Sequence, residues 1–477
     1  MSFTLFGATG DLAKRKIYPA LFNLYMDKKL PSTFSIIGVG KEAFTEEEFQ
    51  SMVIESLYEF SRHSINDKAQ KIAFVQSLSY ISLDLTKESS YLRLLDYVKQ
   101  IETEKGINEN RIFYLSVPPA FFEVITTNIK NSGLGETKGW KRVIIEKPFG
   151  HDLVSATHLN NMLKQAFSED EIFRMDHYLG KPMVQNLETL ISANPVLQSI
   201  WSNQLIANVQ ITASETVGVG GRAAYYEQAG AIRDMVQNHM LQLVLMSALR
   251  MSKKDSVASL RKEKIKLMEA IESINPEKDI IRGQYDHSKT ENSLYTKGYL
   301  EESGVNPLST TDTFVVARLF INSPSWKGVP FFIRTGKRLA KKETKIVVEF
   351  KNTMNDTRMN EEESPNLFII TIQPNEGVSL RINSKDPITG EIEPINVQFS
   401  SSDREIPEAY EYLLADAIKG NADFFTHWDE LELAWKWINP VLESFRNNQV
   451  PLHLYKSGSN GPEASNQLLK DDGFHWW

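Results

Sequence analysis

The chain has 477 residues, 41% of them hydrophobic and 24% charged, the balance of an ordinary globular protein with room for two to four domains of roughly 100–200 residues. Fifty-three Lys and Arg against 61 Asp and Glu leave a net charge of −8, so no global basic field draws nucleic acid or an anionic membrane, and neither is an expected partner. The absence of cysteine excludes disulfides, thiolate catalysis and cysteine-held metal or iron–sulfur clusters.

The opening residues Met1–Gly7 run straight into a strand pattern, with no signal-peptide architecture and no apolar run of about 18 residues, so a cytoplasmic protein is expected. From Phe3 to about Gly150, apolar runs at Phe3–Phe6, Phe34–Val39, Ile112–Val117 and Val143–Ile145 alternate with helical patterns, the signature of a parallel α/β sheet. In the crossover stretch Tyr91–Glu104, for example, Leu92, Leu95, Val98 and Ile101 recur at helical spacing. After about Ser155 the helical stretches lengthen. Strand-like runs follow at Asn208–Ala213, Thr313–Ile321, Pro330–Arg334, Lys345–Phe350 and Leu367–Gln373, separated by turns such as Pro374–Gly377 and Pro387–Gly390 that favour antiparallel neighbours. A helix-rich end runs from Pro407 through Val441. The expected architecture is an α/β Rossmann domain over 1–175, followed over 176–477 by a larger α+β domain with a mostly antiparallel sheet.

The first strand delivers Gly7-Ala8-Thr9-Gly10-Asp11-Leu12 to a helix. Glycines there let a backbone approach a pyrophosphate, and the helix N-terminus supplies free N–H groups. The G-x-G-x-x-G spacing is not met, a turn without a ligand stays open, and Pro19 is expected to break and restart the helix. At the end of the second strand, in Gly38-Val39-Gly40-Lys41-Glu42, an adenosine ribose would lie. Lys41 favours the 2′-phosphate of NADP, while Glu42 pulls the other way.

Val143-Ile144-Ile145 carries Glu146-Lys147-Pro148 to the end of a strand that would face a ligand crevice. The run Arg174-Met175-Asp176-His177-Tyr178-Leu179-Gly180-Lys181 gathers acid, imidazole, phenol and ammonium in a few residues, unlike a core element. In the apolar helical stretch Asp234–Gln242, the polar residues Asp234, Asn238 and Gln242 recur every four positions beside His239, as on a wet face lining a cleft. The basic run Arg334–Lys342 fails the Walker pattern and reads either as a phosphate grip or as a solvated turn. No two of the nine histidines stand three or four apart, so no metal is expected, and no Gly-x-Ser-x-Gly elbow suggests a hydrolase.

In their order and spacing, Gly7–Lys16, Glu146–Gly150, Arg174–Lys181, Asp234–His239 and Arg334–Arg338 together resemble the glucose-6-phosphate dehydrogenase family. That resemblance implies oxidation of glucose 6-phosphate at C1 to the lactone, the first step of the oxidative pentose phosphate pathway, with NADP, or also NAD, taking the hydride. It further implies a homodimer formed through the second domain's sheet. By motif position His239 resembles the general base and Asp176 its carboxylate partner. His177, Tyr178 and Lys181 resemble the phosphate grip, and Lys147 a bridge between substrate and cofactor across a cis Lys147–Pro148 bond. Glu215 and Asp234 fall where glucose hydroxyls are held, and Lys337, Lys342 and Lys16 fall near the substrate. Lys41 stands where relatives usually carry arginine, which leaves room for NAD. Pro182 and Ile191–Pro195 also depart from the family pattern. A related Rossmann sugar oxidoreductase and a silent NADP-binding regulator are the alternatives.

Overall fold

The computed structural model describes residues 1–63, 68–250, 257–289, 295–352, 364–400 and 406–477. They form two units, one from Met1 to Pro182 to which the stretch ending at Trp428 returns, the other beginning at Met183 and including Asp429–Trp477.

In the first unit six strands, β1 (Ser2–Phe6), β2 (Ser35–Gly40), β3 (Leu78–Ser82), β4 (Arg111–Leu115), β5 (Lys141–Glu146) and β6 (Ile172–Met175), pair in the order 3-2-1-4-5-6. Every pair is parallel. Both faces are covered, which is why β1, β2 and β4 are buried along their whole length and read as unbroken apolar runs. The order reverses between β1 and β4, so the crevice where a dinucleotide binds opens between the carboxyl ends of these two strands.

Three details differ from the sequence reading. Strands β3 and β6 carry no apolar run. In β6 the interruption is Arg174, whose guanidinium is buried and satisfied by Glu169, at 2.6 and 3.1 Å, and by Asn160 Oδ1 at 2.7 Å. Arg174 is therefore a core residue, and the polar cluster begins after it. The crossover helix Glu88–Glu104 buries Tyr91, Leu94, Val98 and Ile101 but turns Leu92 outward. Finally, the helix after β1 does not break at Pro19. A wide turn with five-residue hydrogen-bond steps, Ala13–Ile17, leads into the regular helix Tyr18–Met26, whose first turn contains Pro19, where its missing N–H costs least.

The second unit is built on a nine-stranded sheet of β7 (Ile206–Ser214), β8 (Ile280–Asp286), β11 (Phe314–Phe320), β12 (Pro330–Gly336), β13 (Glu343–Phe350), β14 (Leu367–Gln373), β15 (Gly377–Lys385), β16 (Ile392–Ser400) and β17 (Leu452–Lys456), while β9 (Ser288–Lys289) and β10 (Tyr295–Thr296) make a small separate pair. Its order is 16-15-14-13-7-12-11-8-17. Only β7–β12 and β8–β17 run parallel; the other neighbours are antiparallel. The turns Pro374–Gly377 and Pro387–Gly390 do join antiparallel neighbours. Among the described residues no helix is long and apolar enough to cross a membrane.

Candidate active site

In the first unit the glycine-rich turn is built by close approach. Gly7 has φ +80°, and a Cβ there would lie 2.1 Å from the Ser116 carbonyl oxygen at the end of β4. Only glycine fits both constraints. The turn closes with Gly10 N–H donating to Gly7 O at 3.0 Å, and Lys14 N–H donating to Gly10 O at 3.1 Å begins the helix. In front of it lies a cavity of about 910 Å³ lined by Gly7, Thr9, Gly10, Lys41, Glu42 and Ser116 among others, within the roughly 300–1,000 Å³ of small-molecule sites. A glycine cradle that a Cβ would fill, beside a helix N-terminus at the switch point, suits the pyrophosphate and ribose of a dinucleotide. Of the six residues read as the cradle, Gly7, Thr9 and Gly10 line the cavity. Ala8 is buried and its carbonyl accepts from Tyr18 Oη at 2.6 Å, and the Asp11 carboxylate is exposed and paired with Arg15 at 2.7 Å.

At the end of β5, Glu146 accepts a 2.5 Å hydrogen bond from Tyr114 Oη, and the Tyr410 hydroxyl donates to it as well. Burial pushes the Glu146 carboxyl up to about 7, opposed by those two hydroxyls and by Lys147. Burial and the neighbouring Glu146 raise both tyrosines in turn. The next peptide, Lys147–Pro148, is cis. Asp176, directly after β6, is buried and makes a tight turn, accepting from Tyr178 N–H at 2.9 Å on Oδ1 and from Leu179 N–H at 3.0 Å on its carbonyl. The turn stacks His177 edge-on against Tyr178, ring centres 5.0 Å apart, and sets the largely buried Lys181 ammonium 4.9 Å over the Tyr178 ring. Lys16 makes a 2.7 Å ion pair with Glu408, the residue before Ala409, whose carbonyl oxygen would lie 2.5 Å from a Cβ on Gly180 of this turn.

In the second unit the parallel pairing of β7 with β12 brings Ser214 level with Gly336, so the next residues, Glu215 and Lys337, leave the sheet side by side. Glu215 N–H donates to Gly336 O at 3.0 Å, and the Lys337 ammonium pairs with the Glu215 carboxylate while lying 5.1 Å over the Tyr226 ring. The remainder of the basic run is dispersed. Burial lowers Arg334 to about 10 beneath the Trp476 ring, 4.2 Å away; Arg338 bonds Glu302 at 3.3 Å; and Lys342 is exposed where the chain enters β13. The run is therefore not one phosphate-gripping patch.

Asp234 and His239 lie on a wide helical segment, Ile232–Met240, with five-residue hydrogen-bond steps. The polar stripe at spacings of four is not a wet face: Asp234 and Gln242 are buried, Asn238 Nδ2 turns back to Arg233 O at 2.8 Å, and Gln242 Nε2 donates to Glu430 at 3.2 Å. The Tyr225 hydroxyl donates to Asp234 at 3.1 Å, and the His239 side chain is buried. The segment starts at Gly230, φ +60°, where a Cβ would lie 2.5 Å from Asp312 Oδ1; Asp312 Oδ2 accepts from Ile232 N–H at 2.8 Å. Sequence reasoning gave no role to Asp312, Tyr114 or Tyr410, since each is joined to its partner only by the fold: Asp312 to the Ile232 N–H, and the two tyrosines to Glu146.

A doubly wound domain with a glycine cradle at its switch point, and a second unit carrying a buried imidazole and an ammonium–carboxylate pair, define an oxidoreductase that uses a nicotinamide nucleotide. The family models for the glucose-6-phosphate dehydrogenase NAD-binding domain and C-terminal domain match residues 4–186 and 189–477. Glucose-6-phosphate 1-dehydrogenase of Bacillus subtilis (strain 168) is 42% identical over 99% of this chain and 97% of its own length, and that of Leuconostoc mesenteroides is 37% identical over 99% and 97%. A solved glucose-6-phosphate dehydrogenase in complex with its substrate glucose 6-phosphate superposes with a TM-score of 0.92 at 34% identity, covering 100% of this chain and 98% of that one. The chain belongs to the glucose-6-phosphate dehydrogenase family. Its likeness to the regulator Gal80p, at 11% identity and a TM-score of 0.52, is one of fold alone, and the regulator alternative is not favoured.

Proposed function

We propose that this protein oxidises glucose 6-phosphate at C1 to 6-phosphogluconolactone in the cytoplasm, as a homodimer, with NADP or NAD as the acceptor. The 1–175 part serves the cofactor, and the 176–477 part serves the sugar and dimerisation. The bound nicotinamide supplies the hydride acceptor. His239 takes the C1 hydroxyl proton at an imidazole nitrogen while the C1 hydrogen leaves as hydride. The carboxylate of Asp176 steadies the imidazolium that forms. Lys181, with His177 and Tyr178, holds the phosphate; the Lys181 ammonium is already oriented by an aromatic face, so little of its freedom remains to be lost on binding. Lys147, fixed just beyond β5, bridges sugar and cofactor. Glu215, Asp234 and Lys337 orient the hydroxyls, and Lys16 and Lys342 supply positive charge farther out.

The observation that carries this reading is the wide turn Ile232–Met240, an uncommon conformation concentrated at functional sites, which carries the buried imidazole of His239 and the buried carboxylate of Asp234. Reduced-nucleotide formation, followed by near-ultraviolet absorbance, tests it: glucose 6-phosphate should support a rate with NADP or NAD. His239→Asn should lower kcat on the order of 10²- to 10⁴-fold with little change in KM. No rate with either nucleotide overturns the reading, and an unaltered kcat in the variant removes His239 as the base.

A further inference from the structure

The cofactor cavity meets the end of β2 at Lys41 and Glu42, and the structure treats these two residues differently. The Glu42 carboxylate accepts from Thr9 Oγ1 at 2.8 Å, a bond that spans from the glycine-rich turn to the end of β2, and the Glu42 carbonyl accepts from Tyr80 Oη at 2.7 Å. The hydroxyl of Thr9 holds the Glu42 carboxyl below its ordinary value, so it is anionic at neutral pH. For Lys41 the main-chain carbonyl is held, accepting from Ser82 Oγ at 3.2 Å, while the residue itself is exposed. Both residues line the cavity, but the acid is held at its carboxylate and at its carbonyl, whereas the Lys41 side chain is exposed and its charge also helps to keep the Glu42 carboxyl low.

At this place in a doubly wound fold the adenosine ribose meets the protein. A fixed carboxylate accepts from a ribose 2′-hydroxyl and repels a 2′-phosphate, which carries a charge of about −1.5 to −2. A lysine ammonium, a point charge, cannot grip that phosphate bidentately as arginine does. We propose that Glu42, positioned by Thr9, is a specificity-determining residue that selects the unphosphorylated ribose, so that this chain binds NAD at least as readily as NADP. The inference rests on the dehydrogenase reading above and assigns its coenzyme preference to two side chains.

Titration calorimetry of the purified full-length protein with NAD and with NADP, without sugar, reads binding apart from turnover. The wild type is expected to bind NAD as tightly as NADP or more so. Glu42→Gln, which keeps size and removes charge, should shift the ratio of the two dissociation constants toward NADP by about tenfold or more. Thr9→Val, which releases the carboxylate, should shift it in the same direction, and Thr9→Ser, which keeps the hydroxyl, should restore the wild-type ratio. A ratio unmoved by Glu42→Gln overturns the assignment, and a Thr9→Val variant that behaves as wild type overturns the role given to Thr9. Should the wild type bind neither nucleotide, the dehydrogenase reading itself falls; tight NADP and weak NAD binding in the wild type would leave that reading intact and overturn this one.

Discussion

Glu146 shows how one side chain's environment becomes a measurable property. A carboxyl raised from 4.5 to about 7 binds its proton more tightly in the native state than in the unfolded chain. The stability this contributes is fully present below about pH 4.5 and is lost as the pH rises through about 7. Urea unfolding of the wild type should therefore show stability falling between pH 5 and 8, by on the order of 1–3 kcal/mol. Glu146→Gln, which can still accept from Tyr114 and Tyr410, should flatten that slope, and an unchanged slope would assign the dependence to another group. Lys181 gives a second test at this scale. Its ammonium, placed over Tyr178, would make a charge-assisted bond to phosphate worth about 1.5–3 kcal/mol. Steady-state kinetics of Lys181→Ala should thus show KM for glucose 6-phosphate raised tenfold or more and KM for free glucose nearly unchanged. Equal effects on both sugars would mean that Lys181 does not hold the phosphate.

The elements differ in how plainly the sequence announces them. Strands β1, β2, β4 and β5 are legible because a sheet covered on both faces demands unbroken apolar runs, whereas β6 is hidden by Arg174, whose charge is neutralised by Glu169 from outside the strand. The outer hairpin β15–β16 carries a different signal, a period-two alternation of Val378, Leu380, Ile382 and of Ile395, Val397, Phe399 in place of an unbroken apolar run, because its residues are at most partly buried. The segment around His239 was legible as helical, but its hydrogen-bond step was not. The first turn of that segment is held from far along the chain, by Asp312, which accepts from the Ile232 N–H 80 residues earlier. Gly230 has φ 60° and ψ 175°, a conformation restricted almost wholly to glycine, and it faces the buried Asp312 carboxylate. Gly230→Ala should accordingly cost about 2–4 kcal/mol in urea unfolding and lower kcat along with stability. A variant of wild-type stability and rate would show that the turn tolerates a side chain and does not depend on this fit.

For the whole molecule, the expectation of a dimer built on the second unit's sheet can be argued from register. In β15–β16, Val378 pairs with Phe399, Leu380 with Val397 and Ile382 with Ile395. Directly paired residues share a face, so all six apolar side chains lie on one side of the hairpin. None of the six is buried in the chain taken alone; Phe399 is 60% exposed and Ile395 44%. Apolar stripes of this kind on a long edge hairpin would promote aggregation unless a partner covers them, and a second copy placed by a two-fold axis would match the stripe with an identical patch. Replacing Phe399 and Val397 with Glu together should therefore shift sedimentation equilibrium from dimer toward monomer. The cavity read as the cofactor site is lined by residues of the first unit, so nucleotide binding by the double variant should persist. A variant that remains a dimer would move the interface off this hairpin face, and a monomeric wild type would remove the dimer altogether.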